Sequence, residues 1–254
     1  MLYKYKIAFQ TEKKILGAII GHEADIILNL DKPYPPLLRR PAYPASPRAR
    51  EALEINIKNL IYSSFLKKVV HYAQVESTAP VIIIQHNGKS RMVRYFRTPN
   101  TYTIPDIYPI PRIHETLTQL SQAKLFTATN ALKGFNQDFS TDNSRKRLSI
   151  MANVEYIYLL KNAIRYRNSP SHYQRIMKTI LPEELSEGWL IIYIDDIIIF
   201  SETGENNLTR LERVLKKIVQ VNMKISLKKG HFAYSELKEL GHVVSELSLD
   251  IDKS

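Results

Sequence analysis

Residues 189–200 read WLIIYIDDIIIF, two apolar runs interrupted only by Asp195-Asp196. The five residues before the pair are apolar or Tyr, and the four after it are wholly apolar. Runs of this length read as the two strands of a hairpin. Because neither alternates with polar residues, they belong in a core covered on both faces. Asp is a common turn residue, so a hairpin tip closed into water is one reading of the pair. The second is chemical. Adjacent carboxylates beside core strands repel and raise each other's pKa unless a cation sits between them. Mg²⁺ suits such hard oxygens, taking one or two carboxylates plus substrate phosphates. A further carboxylate on a neighbouring strand would complete a two-metal site, ions ~3.5–4 Å apart, for in-line phosphoryl transfer. From spacing alone both readings stand.

Outward from the hairpin, strands and helices alternate irregularly. Residues 208–219 are amphipathic, with Leu208, Leu211, Leu215 and Ile218 on the predicted buried side. Ser169 caps a helix with Pro170 at its first position and Tyr173, Ile176, Met177 and Ile180 as its apolar stripe. Residues 125–129 read as a strand entering a turn and helix at 130–135, and Ile113, Leu117 and Leu120 mark a short helix before it. PVIIIQ at 80–85, the turn His86-Asn87-Gly88 and a second strand at 91–96 make another hairpin. Ser46 and Pro47 open a helix carrying Leu53, Ile57, Leu60 and Ile61. Six of the 13 prolines fall in residues 32–47, which read as an extended arm or linker; their PxxP spacings could also suit an SH3-type partner. The pattern predicts an α+β fold with an antiparallel sheet packed on helices, not repeated βαβ units.

The 254 residues hold 36 Lys+Arg against 25 Asp+Glu, a net charge of +11, and 44% are hydrophobic. A packed core is affordable, and the basic excess points to a polyanion such as nucleic acid or to a basic solvated face. The absence of Cys excludes disulfides and thiolate metal sites and fits an intracellular protein in cytoplasm or nucleus. No apolar run reaches the ~18 residues of a membrane span, and the basic first dozen residues lack the apolar core of a secretory signal.

Read in order, several blocks are similar to reverse transcriptases of gypsy-class LTR retrotransposons, with elements found in fungi as the best match. They are HNGKSRMVRYFRTPN, YPIPRI, FTATNALKGFNQ, NSPSHYQRIM, YIDDIIIFSETGENNLTRLERVLKKIVQVNMKISLKKGHF and LGHVVS at 240–245. The resemblance implies a right-hand polymerase palm with fingers over residues 48–254, preceded by an N-terminal region with a proline-rich arm over 1–47. It implies RNA-directed DNA polymerisation on an RNA or DNA template with primer, using dNTPs and two Mg²⁺, within a Pol polyprotein that leads to DNA integration. By position, Asp195 would bind metal with Asp196 beside it. Arg91, with Lys89 close by, would meet the incoming triphosphate. Phe135 would exclude a ribose 2′-hydroxyl; read without the family it is a core aromatic. Gly241 and His242 would lie in the primer grip, and Lys228 and Lys229 would meet backbone phosphate.

The resemblance also implies damage. Asn130 stands where the family's third catalytic aspartate belongs, and Ala163-Ile164-Arg165 replaces its Pro-Phe-Gly, leaving Ile164 in the nucleotide-pocket loop. Tyr95 replaces an aspartate and Pro99 a leucine, and no thumb, connection or RNase H block follows. Several independent lesions read as neutral decay of a truncated element copy. Two rivals stay open: a catalytically dead nucleic-acid-binding remnant of the same fold, and a basic scaffold that binds a partner through its proline arm.

Overall fold

The structure, a computed structural model, describes residues 1–9, 17–31, 33–86, 89–120, 123–153, 155–239, 241–245 and 249–251. The chain forms two compact units, each assembled from separated segments. One unit takes Met1–Gly21, Ile107–Gln137 and Pro170–Ser254, and the other His22–Asp106 and Asp138–Ser169. After Met1–Gly21 of the first unit, the chain runs through the second, with β1 (Glu23–Ala24), α1 (Pro47–Tyr62), β2 (Leu66–Lys68), β3 (Thr78–His86), β4 (Lys89–Arg94) and α2 (Arg97–Tyr102). It crosses to the first for α3 (Ile113–Thr118) and β5 (Leu125–Asn130), then returns for β6 (Phe139–Ser140), α4 (Asp142–Arg147), β7 (Ser149–Ala152) and β8 (Glu155–Leu159). The rest builds the first unit: α5 (Ser169–Ile180), α6 (Pro182–Ser186), β9 (Leu190–Tyr193), β10 (Asp196–Ser201) and α7 (Gly204–Gln220). Strands β11 (His231–Tyr234), β12 (Glu236–Glu239), β13 (His242–Ser245) and β14 (Leu249–Ile251) close it.

The first unit centres on an antiparallel sheet in the order β11-β5-β10-β9. Its hairpin is buried on both faces, as the unbroken apolar runs require. Leu190, Ile192, Ile197 and Ile199 face Tyr173, Ile176 and Met177 of α5 and Leu211, Val214, Leu215 and Ile218 of α7. The alternate residues Ile191 and Ile198 face Phe126, Ala128, Leu120, Leu237 and Val244. Period-two side-chain direction places each Ile in one of the two cores. Helix α7 starts where the Thr203 side chain accepts from Asn206 N. One expected core position fails: Leu208 is 53% exposed, and Val214 fills the buried stripe instead. A 3.6-residue period starting at Leu211 carries Leu208 to the edge of the stripe, where neither α5 nor the sheet covers it.

The second unit holds a five-stranded sheet, β2-β8-β7-β3-β4, antiparallel except for the β3–β7 pair. Ser46 accepts from Ala49 N with Pro47 at the first helical position, and Leu53 and Ile57 of α1 are buried, as read from the sequence. The second strand of its hairpin is displaced, running Lys89–Arg94, because Arg97 already begins α2. Asn87 and Gly88 of the expected turn lie outside the described residues. The proline-rich stretch is no free spacer within its described residues. Pro36–Leu38 makes a 3-10 turn with Leu38 fully buried, and Thr78 Oγ1 donates to Arg40 O at 3.0 Å. Among the described residues no helix is long and apolar enough to cross a membrane.

Candidate active site

The ladder pairs Asp196 with Tyr193, leaving Ile194 and Asp195 as a two-residue loop. Such loops demand a positive φ, and here Ile194 supplies it at +54°. A β-branched residue there is strained by about 1–3 kcal/mol and persists only where its surroundings hold it. Gln174, buried on α5, does the holding. Its Nε2 donates to Ile192 O at 2.8 Å, and its Oε1 accepts from Ile194 N at 2.7 Å. From the other side Ala131 N donates to Asp195 O at 2.8 Å. The tip is therefore fastened to α5 and to the end of β5.

The register sets Asn130 opposite Asp196. The amide Nδ2 of Asn130 donates to Asp196 Oδ1 in a very short contact. The metal-binding role that the resemblance gives Asp195 would call for Asn130 and Asp195 side by side on adjacent strands, but the ladder sets Asn130 against Asp196. Asp195 instead sits in the turn, because β10 begins with Asp196 itself. Its Oδ1 is buried and accepts no hydrogen bond. A Cβ at Gly134 would overlap that oxygen and come within 2.7 Å of the Tyr173 ring. Glycine at 134 is what allows the carboxylate to lie there. Burial, and secondarily the charge of Asp196, pushes the Asp195 carboxyl up to about 6, while Lys229 pulls the other way. Burial raises Asp196 as well, again opposed by Lys229.

An orphaned, buried carboxylate oxygen next to a second carboxylate fits one hard divalent cation. The third position fits less well, since Asn130 brings a donor and no charge. Among the described residues no cluster of three or more His, Cys, Asp or Glu side chains could hold a metal.

The same unit carries five more of the expected positions. Phe135 is half-buried, its ring edge-on to Tyr173 at 5.4 Å between centroids. Lys228 and Lys229 are exposed on the turn Leu227–Lys229. Ser226 N donates to Asn130 O at 2.9 Å, which fixes that turn beside the pair. Gly241, at φ +76°, turns β12 into β13, where His242 opposes Glu239. Arg91 and Ile164 belong to the other unit: Arg91 is exposed on β4 opposite Ile84, and Ile164 is exposed in the loop after β8. Lys89 opens β4, and its side chain lies outside the described residues.

Sequence reasoning missed three residues that shape the site. Gln174 interrupts the apolar stripe of α5 at a core-facing position, and a polar residue there is the signal that a buried partner awaits. Gly134 signals only through its lack of a side chain. Asn207, fully buried on α7, accepts from Thr127 Oγ1 at 2.6 Å and donates to Ser201 Oγ at 3.1 Å, tying the helix to β5 and β10.

With this geometry in view, the likenesses to known proteins are consistent. Residues 166–244 match the family model "Reverse transcriptase (RNA-dependent DNA polymerase)". The chain is 30% identical over 218 residues to the retrovirus-related Pol polyprotein from transposon opus of Drosophila melanogaster, covering 83% of this chain and 21% of that protein. It is 32% identical over 160 residues to the corresponding polyprotein from transposon gypsy of the same fly, covering 63% and 15%. To the Tf2-3 polyprotein of Schizosaccharomyces pombe it is 25% identical over 205 residues, covering 80% and 15%. Among solved structures, the foamy viral protease-reverse transcriptase in complex with RNA/DNA hybrid superposes with a TM-score of 0.85 at 19% identity, over 99% of this chain and 33% of that one.

Fold and hairpin site together give the chain the palm-and-fingers architecture of the solved reverse transcriptases, and the family match falls on the part that carries the hairpin. More narrowly, the chain is similar to retrotransposon Pol polyproteins, and it spans about a fifth of the length of the opus relative.

Proposed function

We propose that this domain is built for RNA-directed DNA polymerisation and performs it at a strongly reduced rate. In that reaction the primer 3′-hydroxyl attacks the α-phosphate of a dNTP, a phosphodiester forms, and pyrophosphate leaves. The single observation that carries the reading is the Asp195-Asp196 tip standing opposite Asn130 on the next strand. Mg²⁺, when bound, would lower the pKa of the attacking hydroxyl and neutralise the leaving group. Asp195 offers the free ligand oxygen, and Gln174 keeps the loop in the strained conformation that presents it. The Asn130 amide occupies an Asp196 oxygen and removes one negative charge from the set. Phe135 excludes a ribose 2′-hydroxyl from the nucleotide pocket, and Arg91, Lys89 and Ile164 serve the incoming nucleotide. Lys228, Lys229, Gly241 and His242 serve primer and template, and residues 48–254 form the polymerase part behind the arm of 1–47. The matches to opus and gypsy elements support gypsy-class kinship.

Primer extension on an RNA template, parent against Asn130→Asp, tests this reading. Losing one transition-state-stabilising group costs ~10²–10⁴ in rate, so the parent should extend barely or not at all. Asn130→Asp should tighten Mg²⁺ binding but restore only a small part of the rate, because Ala163-Ile164-Arg165 still stands in the nucleotide-pocket loop. Robust extension by the parent would show that Asn130 is no lesion. A repaired variant that binds no Mg²⁺ would remove the metal reading altogether.

A further inference from the structure

Asn207 lies fully buried on α7, although Asn is a poor helix former and a desolvated amide is costly unless its polar atoms are met. They are met by a directed relay. Ala233 N donates to Thr127 Oγ1 at 3.0 Å, and that hydroxyl donates in turn to Asn207 Oδ1 at 2.6 Å. Asn207 Nδ2 donates to Ser201 Oγ at 3.1 Å, and Ser201 Oγ donates to Thr203 O, the N-cap of α7, at 3.0 Å. Each hydroxyl accepts one bond and donates one, so the donor direction is fixed from end to end.

The relay starts at a break in the sheet. From the pair His231–Ala128 to the pair Tyr234–Phe126 the backbone advances three residues on β11 and two on β5, which makes a bulge. Ala233 stands in it at φ +55°, a conformation that a residue other than glycine keeps only where its surroundings hold it. The extra residue of a bulge lacks a ladder partner, and the Thr127 side chain supplies the acceptor instead. An apolar pair at 127 and 207 would join β5 to α7 as well, but would leave that N–H unmet. The bulge governs what lies on either side of it. Before β11, the turn Leu227–Lys229 is fixed on Asn130 through Ser226. After it, β12 begins at Glu236, and Leu237 and Val244 dock the β12–β13 hairpin against Phe126 and Ala128. One residue fewer in β11 would exchange the faces of every side chain beyond it and turn Leu237 out of that core.

We propose that Thr127 and Asn207 are positioning residues for the primer strand. By holding the Ala233 bulge, they set where the β12–β13 hairpin, with Gly241 and His242, stands relative to the Asp195-Asp196 tip. This role rests on the reading of that hairpin as meeting primer and template, and neither residue touches the reacting atoms.

The test is binding of a labelled primer-template duplex to the full chain, followed by anisotropy at fixed salt, alongside amide hydrogen exchange at Ala233. Thr127→Val keeps the shape and removes the hydroxyl. It should unprotect the Ala233 N–H and weaken duplex affinity at least about fivefold. Thr127→Ser restores the hydroxyl and should stay within about twofold of the parent. Ile218→Val, fully buried on the same helix and outside the relay, should also stay within about twofold although it lowers stability. Ala233→Pro removes the same N–H at an exposed position and forbids the positive φ, so it should match Thr127→Val. It carries the decision if Thr127→Val does not fold. Equal losses in Thr127→Val and Ile218→Val, or no rescue by Thr127→Ser, would reduce the pair to core packing. An Ala233 N–H that stays protected in Thr127→Val would break the link to the bulge. A parent chain without saturable duplex binding would instead remove the primer reading itself, and this role with it.

Discussion

Asp195 is in tension with its surroundings. Its carboxyl is shielded from water, faces the like charge of Asp196, and lacks a hydrogen-bond donor on Oδ1. In the unfolded chain the group titrates near its ordinary 3.8, and in the fold near 6. Between those values the folded state holds more protons than the unfolded one, so this residue's contribution to stability falls as pH rises through the window. Asp195→Asn should therefore stabilise the metal-free protein at pH 7 by ~1–3 kcal/mol, with the gain vanishing below about pH 4. Urea denaturation of both proteins across that range measures it, and equal stabilities at pH 7 would mean that water or a counter-ion already neutralises the site. Saturating Mg²⁺ should reverse the order, since a cation stabilises only the protein that binds it. The aspartate pair was readable in advance as the tip of a hairpin; its pairing with the next strand was not. A sequence names Asn130 and Asp196 but cannot say that β10 starts at the second aspartate, because a register shift of one residue leaves the same letters in place.

At the scale of elements, unbroken apolar runs proved more informative than amphipathic stripes. The hairpin 189–200 has no polar face, so only a doubly covered position was open to it, and its strands were legible from the start. A stripe fixes a face but not its width, and Leu208 was lost at that margin. The contrast is measurable. Leu215→Ala, in a fully buried position on α7, should cost ~2–5 kcal/mol, whereas Leu208→Ala should stay within ~0.5 kcal/mol. The proline-rich stretch misled for a related reason: low backbone hydrogen-bonding capacity describes the segment, not the strand that accepts it, and Arg39 bridges to Thr78 at the start of β3. Gln174 links two elements that propensity treats separately. Gln174→Leu removes two hydrogen bonds that hold the Ile194 loop, leaves a backbone N–H unpartnered, and should destabilise the first unit by ~1–3 kcal/mol. Loss of Mg²⁺ affinity beyond that of a distant substitution of equal ΔΔG would mark Gln174 as a positioning residue; loss in proportion to stability alone would make it merely structural.

For the whole molecule the governing quantity is charge. An excess of 36 basic over 25 acidic groups sets a long-range attraction to any polyanion before a single contact forms. Contacts to phosphate release condensed counterions, so log affinity falls with log salt at ~0.9 per neutralised phosphate on duplex DNA. The chain should bind a primer-template duplex in the micromolar range or weaker at physiological salt, with a slope of several. Lys228 and Lys229 are exposed on a turn fixed beside Asn130, with Lys229 near enough to act on both aspartates. If that turn tracks a strand, Lys228→Gln/Lys229→Gln should lower the slope by about 2, one phosphate for each lysine. Fluorescence anisotropy of a labelled duplex over a salt series gives both numbers. A flat series would mean that the charge is a solvated face with no strand along it. A steep series untouched by the lysine change would move the strand away from the Asn130 turn, and with it the primer terminus that the aspartates are read as serving.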